Sequence, residues 1–179
     1  IVLKGNNIHN IEEISNIFEK SEIYLVSSLP THTGGKFLCS LLDSHPDIYV
    51  MPCSPHKILP CNEESLPDID ELFDRMKNDP IYSMIYNQLR SKQCLDKIKD
   101  LIKIIGPSLK NYILSIIYFY HYSKDIFPND NIFIIHTHDI NKTELYLKKI
   151  NNSQLLAIAR HPANVYAAYI KKYLRSYKT

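Results

Sequence analysis

A chain of 179 residues with 45% hydrophobic and 22% charged side chains is built like one soluble globular domain with a sizeable core. A formal net charge of +2, with Lys and Arg scattered among Asp and Glu, gives no basic face large enough for nucleic acid to be the main partner. Four cysteines without CxxC spacing (Cys39, Cys53, Cys61, Cys94) exclude a dense disulfide scaffold and predict free thiols, although Cys53 and Cys61 flank a Pro-rich loop and could pair.

Asn10 to Lys20 has the apolar spacing of a short amphipathic helix, and Ile23 to Val26 has the content of a buried strand. Ser27 to Thr33 is a turn-forming cluster that leads to Gly34 and Gly35, two of only four glycines in the chain. Without a Cβ, these two let the backbone approach a ligand closely. Phe37, Leu38, Leu41 and Leu42 then recur at helical spacing, which sets Thr33 to Gly35 at a helix N-terminus with free N–H groups and the positive end of the dipole. Lys36 adds a full charge, so the stretch predicts an anion site with phosphate as its occupant. A Gly-containing turn between a strand and a helix is the plainer alternative.

Ile48 to Met51 reads as a second short strand, and Pro52 to Pro67, with four prolines, as a loop with fixed corners that walls a substrate pocket. From Asp68 to Asp125 the pattern is helical, and its aromatic residues read as core. Asn131 to His138 reads as a buried strand ending in two histidines. Asn141 and Glu144 form a capping-box-like start to a helix that runs to Ile150. Gln154 to Ala159 reads as another buried strand, followed by Arg160 and a last helix from Ala163 to about Tyr177.

Strands alternating with helices predict an α/β fold, a P-loop-like three-layer arrangement with a short parallel sheet flanked by helices, in one domain spanning 1–179. Gly34 to Lys36, His136 to His138 and Arg160 each follow an apolar strand, so one crevice at the carboxyl ends of the strands would gather them. No signal peptide opens the sequence, and the longest apolar run, Tyr112 to Tyr120, is too short to span a bilayer. A cytoplasmic protein without membrane contact is expected, while the missing initiator Met leaves room for an upstream anchor.

Three segments carry a family resemblance. THTGGKFLCSLLDSHPDI resembles the loop and leucine-rich helix with which sulfotransferases hold the 5′-phosphosulfate of PAPS (3′-phosphoadenosine-5′-phosphosulfate), the family's SGTT run followed by D-x-HP-D. IIHTHDIN resembles the KTH segment that carries the catalytic histidine of the cytosolic sulfotransferases, and LLAIARHPANVYAAYIKKY resembles the strand, Arg and helix that bind the 3′-phosphate. The matches cover about a third of the chain.

The resemblance implies roles residue by residue. Donor binding would fall to His32, Thr33, Gly34, Gly35, Lys36, Phe37 and Arg160, and catalysis to His138, Lys36 and His136. PAPS would be the donor, no metal would be needed, and the other partner would be an unidentified acceptor, whether small molecule, sugar or peptide. The departures are specific. His32 stands where the family has Lys or Arg, Gly35 and Lys36 replace two threonines, and Phe37 takes the place of the adenine-stacking aromatic. His136 replaces the lysine of KTH, Ala168 replaces a 3′-phosphate serine, and nothing after Arg175 matches the family's nucleotide-closing segment. The resemblance is therefore to a truncated or divergent member.

Three other readings stay open. PTHTGGKF is close to a Walker A loop of a phosphotransferase, with Phe37 where the Mg²⁺-binding hydroxyl should be. His136 and His138 share a strand face and, with His56, offer a metal set. The missing serine and C-terminal segment also fit an inactive nucleotide-binding module.

Overall fold

The computed structural model describes residues 10–28, 35–43, 45–60, 65–127, 131–137, 140–158, 161, 163–164 and 166–167. Among the described residues there are seven α-helices, one 3-10 turn and four strands.

Helix α1 (Ile11–Lys20) begins at a reciprocal cap. The Asn10 side chain accepts from the Glu13 N–H at 2.8 Å, and the Glu13 carboxylate accepts from the Asn10 N–H at 2.8 Å. Ile14 and Phe18, one turn apart, form its buried stripe. Strand β1 (Glu22–Ser28) follows directly, then helix α2 (Gly35–Leu42) and the short strand β2 (Ile48–Val50). After a 3-10 turn at Pro55–Lys57 come four helices: α3 (Ile69–Asn78), α4 (Tyr82–Ser91), α5 (Cys94–Ile105) and α6 (Leu109–Tyr122). Asp68 and Ser108 cap α3 and α6, while α5 stops at Gly106, whose φ of +82° suits a residue without a Cβ. Strand β3 (Ile132–Thr137), helix α7 (Ile140–Lys149) and strand β4 (Ser153–Ile158) complete the order.

The four strands form one parallel sheet in the order β2-β3-β1-β4. Successive side chains leave a strand on opposite faces, so each strand feeds two cores. Val26, Val50 and Ile134 face α2 and pack with Cys39. Ile23, Leu25, Tyr49, Phe133 and Ile135 face the other way, into a larger core with α1, α3 to α6 and α7. In that core the Tyr49 and Phe133 rings stack with centroids 4.7 Å apart, and Phe18 meets Phe133 edge-on. The expected three-layer α/β arrangement is thus present.

The connections explain why α2 and α7 lie on opposite faces. From β1 the chain crosses past β3 to reach β2, and from β3 it crosses past β1 to reach β4, in the opposite direction. Right-handed crossovers running in opposite directions put their helices on opposite faces, so α2 and α7 leave neighbouring strands to opposite sides. The gap between the carboxyl ends of β1 and β3 is therefore the topological switch point of the sheet, where open α/β sheets bind ligands.

Two expectations need correction. β4 does not read as buried: Leu155 is 49% and Leu156 39% exposed, because among the described residues β4 stands at the edge of the sheet, paired with β1. An apolar run records what a strand can bury but not what covers it. The helix expected to open at Asn141 begins one residue earlier, at Ile140. The helix expected from Ala163 to Tyr177 lies largely outside the described residues. Among the described residues no helix is long and apolar enough to cross a membrane.

Candidate functional site

A cavity of about 470 Å³ opens beside the carboxyl ends of β2 and β3, with α2 along one side. Lys36 reaches it from the first turn of α2, just after the buried Gly35. His136 reaches the cavity from the end of β3. It lies two residues beyond Ile134 on the face that looks toward α2, and it is 5% exposed. The next residue, Thr137, points the other way, where its hydroxyl hydrogen-bonds that of Thr143 on α7. Strand alternation alone therefore sends His136 to the cavity and Thr137 to the opposite layer.

The Pro-rich loop supplies another wall, through Pro52, Ser54, His56 and Lys57. Ser54 Oγ and His56 Nδ1 share a 2.6 Å hydrogen bond. The start of α4 contributes Ile81 and Tyr82, held in place because Asp79 accepts from their N–H groups at 2.8 and 3.0 Å. Those two backbone bonds, that of Tyr82 first, hold the Asp79 carboxyl below its usual range against a smaller effect of burial, with Lys57 acting in the same direction. The Tyr82 hydroxyl donates to the Cys53 carbonyl at 3.4 Å, and burial raises its pKa well above the ordinary value.

Two thiols face the same cavity, and neither is a nucleophile at neutral pH. Burial, with Asp43 adding to it, pushes Cys39 up to about 11. Burial pushes Cys53 up to about 11 as well, opposed by its hydrogen bond with Tyr82. Cys39, Cys53 and Cys94 are all free, and Cys61 lies outside the described residues.

Behind the cavity, His121 of α6 covers the outer edge of β2. Its Nε2 is 2.9 Å from the Val50 carbonyl and 3.2 Å from the Val50 N–H, so a backbone edge that no strand pairs is closed by a side chain. Burial lowers the pKa of His121, opposed by the Val50 hydrogen bond and by Asp43, whose carboxylate lies 3.9 Å away. Nδ1 of the same ring is buried without a hydrogen-bond partner, which disfavours a proton there further.

Of the residues singled out in the sequence, Lys36 and His136 come together at the cavity and His56 joins them. Phe37 does not: it is 68% exposed on α2 and is not among the lining residues. His32, Thr33, Gly34, His138 and Arg160 lie outside the described residues. Ile81, Tyr82 and Tyr120, from the helices between Asp68 and Asp125 that were expected to form the pocket, also line the cavity, as does Asp43 of the D-x-HP-D segment; none of the four was singled out as a site residue. Among the described residues no three His, Cys, Asp or Glu side chains group as metal ligands. Comparison with family models, curated proteins and solved structures gives no match.

Proposed function

We propose that the chain is a sulfotransferase that moves the sulfuryl group of PAPS to an acceptor hydroxyl or amine. One observation carries the reading: Lys36, from the helix that follows β1, and His136, from the end of β3, line one cavity beside the carboxyl ends of a parallel sheet. These residues belong to the two segments whose sequences resemble the donor loop and the KTH segment of the family.

In this reading Lys36 and the first amides of α2 hold the 5′-phosphate and offset the charge that develops on it. The acceptor oxygen or nitrogen forms its bond to sulfur as the bond from sulfur to the phosphate oxygen breaks, and the electron pair stays on the departing phosphate. His138 takes the acceptor's proton, a task suited to a group that titrates near neutral pH. His136 hydrogen-bonds the bridging oxygen. Arg160 grips the 3′-phosphate in a bidentate fork, and the exposed Phe37 ring stacks on the adenine outside the cavity.

The test is transfer of labelled sulfate from PAPS to a panel of phenols, alcohols, sugars and amines. Labelled product with one of these classes is expected, with a loss of ~10² to 10⁴-fold in turnover for His138→Ala at nearly unchanged PAPS affinity. Phosphorylation of the same panel from ATP and Mg²⁺ would instead mark a phosphotransferase. Nucleotide binding without any transfer would mark an inactive module.

A further inference from the structure

The cavity lined by Lys36 and His136 has a neighbour. A second cavity of about 320 Å³ adjoins it along Pro52, Cys53, Ile81 and Tyr120, which line both, and adds Met84, Gln88 and Lys124. Lys36 and His136 line the first cavity and not the second. The junction between the two is mostly apolar, and part of its wall stands in water. Ile81 is 44% exposed just before α4 and Met84 71% exposed in its first turn, three residues further on and so on the same side.

Among the described residues that line the second cavity, Lys124 is the one that carries a charge. Its ammonium lies 4.0 Å from the centroid of the Tyr120 ring, which places it beside a residue that both cavities share. The neighbouring carboxylate, Asp125, is directed instead to Lys92, 3.8 Å away. An ammonium carries three N–H donors, and a ring on one side of it cannot take them all. The backbone at Lys124 is fastened as well. Its N–H donates to the His121 carbonyl at 3.0 Å, and the Gln88 side chain of α4 donates to the Ser123 carbonyl at 3.1 Å, which ties the end of α6 to α4 beside the cavity.

Resting on the sulfotransferase reading of the first cavity, we propose that the acceptor is an aromatic alcohol with a carboxylate at the end away from its hydroxyl, and that Lys124 is the residue that selects it. The hydroxyl lies in the first cavity, toward the phosphosulfate. The rings cross the junction along Pro52, Ile81 and Tyr120 and cover the exposed apolar surface there, and the carboxylate meets the Lys124 ammonium in the second cavity. A neutral alcohol of the same shape gains the apolar contacts but not the charged one, so the selection rests on a difference between the two.

The experiment compares two probes of one shape, a hydroxynaphthoate with its hydroxyl and carboxylate on opposite rings and the corresponding neutral amide, by calorimetric titration into the full chain saturated with the desulfated nucleotide. The parent should bind the carboxylate about tenfold more tightly than the amide, the effect of one hydrogen bond to a charged group. Lys124→Met, which keeps the length of the side chain, should remove that preference, and Lys124→Arg should keep it. Met84→Glu, a change at an exposed position on the same wall, should weaken the carboxylate more than the amide. Equal affinity of the two probes in the parent, a preference that survives Lys124→Met, equal effects of Met84→Glu on both, or a nucleotide-loaded parent that binds neither would each overturn the assignment. A parent that does not bind the desulfated nucleotide overturns the sulfotransferase reading instead, and the same pair titrated into the nucleotide-free chain still decides whether this cavity reads a carboxylate at Lys124.

Discussion

At the scale of single residues, Lys36 bears on the cavity and His121 on the fold. Lys36 reaches the cavity from an exposed helical position. Lys36→Ala should weaken binding of the desulfated nucleotide by about 1.5 to 3 kcal/mol, the range for a hydrogen bond to a charged group, with thermal stability of the free chain little changed. Unchanged affinity by calorimetry would remove Lys36 from the site. The charged form of His121 is disfavoured, because burial lowers its pKa and Nδ1 is buried without a hydrogen-bond partner among the described residues. The unfolded chain then binds more protons than the folded one just below the ordinary imidazole value near 6.5, so the contribution of His121 to stability is complete above that pH and is lost as pH falls toward the folded value. Denaturation midpoints for the parent should drop from pH 7.5 to 5.5 by more than those of His121→Gln, which keeps a hydrogen bond to Val50 but does not titrate. Equal drops would mean that the depressed pKa of His121 has no part in the pH dependence.

The elements show which parts of the fold are readable from local pattern. β1, β3 and α2 were legible because their apolar residues follow the periods of a strand or a helix and each is bounded by turn-forming residues. The capped start of α1 was legible in outline as an amphipathic stretch opening at Asn10. β4 was legible as a strand but not in its exposure, since Leu155 and Leu156 look identical to core residues until the neighbours of the strand are known. The same limit applies to the candidate site. Lys36 and His136 follow apolar runs directly, and strand alternation gives the direction of His136, but the contact between His121 and Val50 joins positions on α6 and β2 that no spacing rule connects. That contact bears weight at the element scale. His121→Ala leaves the outward carbonyl of Val50 without its partner and should cost about 1 to 3 kcal/mol in chemical denaturation, the penalty for a buried polar group left unsatisfied. A smaller cost would show that water replaces the ring and that β2 has an open edge.

For the whole molecule, among the described residues, the sheet separates a thin layer, with α2, from a thick one that holds α1 and α3 to α7 around a core containing Tyr49 and Phe133. Stability belongs mainly to the thick layer. Phe133→Ala, which removes a fully buried ring stacked on Tyr49, should lower stability by about 3 to 5 kcal/mol, read as a shift of the denaturant midpoint at constant slope. The cavity lies between α2 and the carboxyl ends of β2 and β3, and Ile81, Tyr82 and Tyr120 reach it from the thick layer. The central claim is that this cavity holds a phosphoadenosine nucleotide, and the most direct test is a calorimetric comparison of the desulfated donor with ADP and with ATP plus Mg²⁺. The account predicts that the desulfated donor binds most tightly, with an advantage over ADP that shrinks in Arg160→Ala. Tighter binding of ATP with Mg²⁺, or no binding of any of the three, would contradict it.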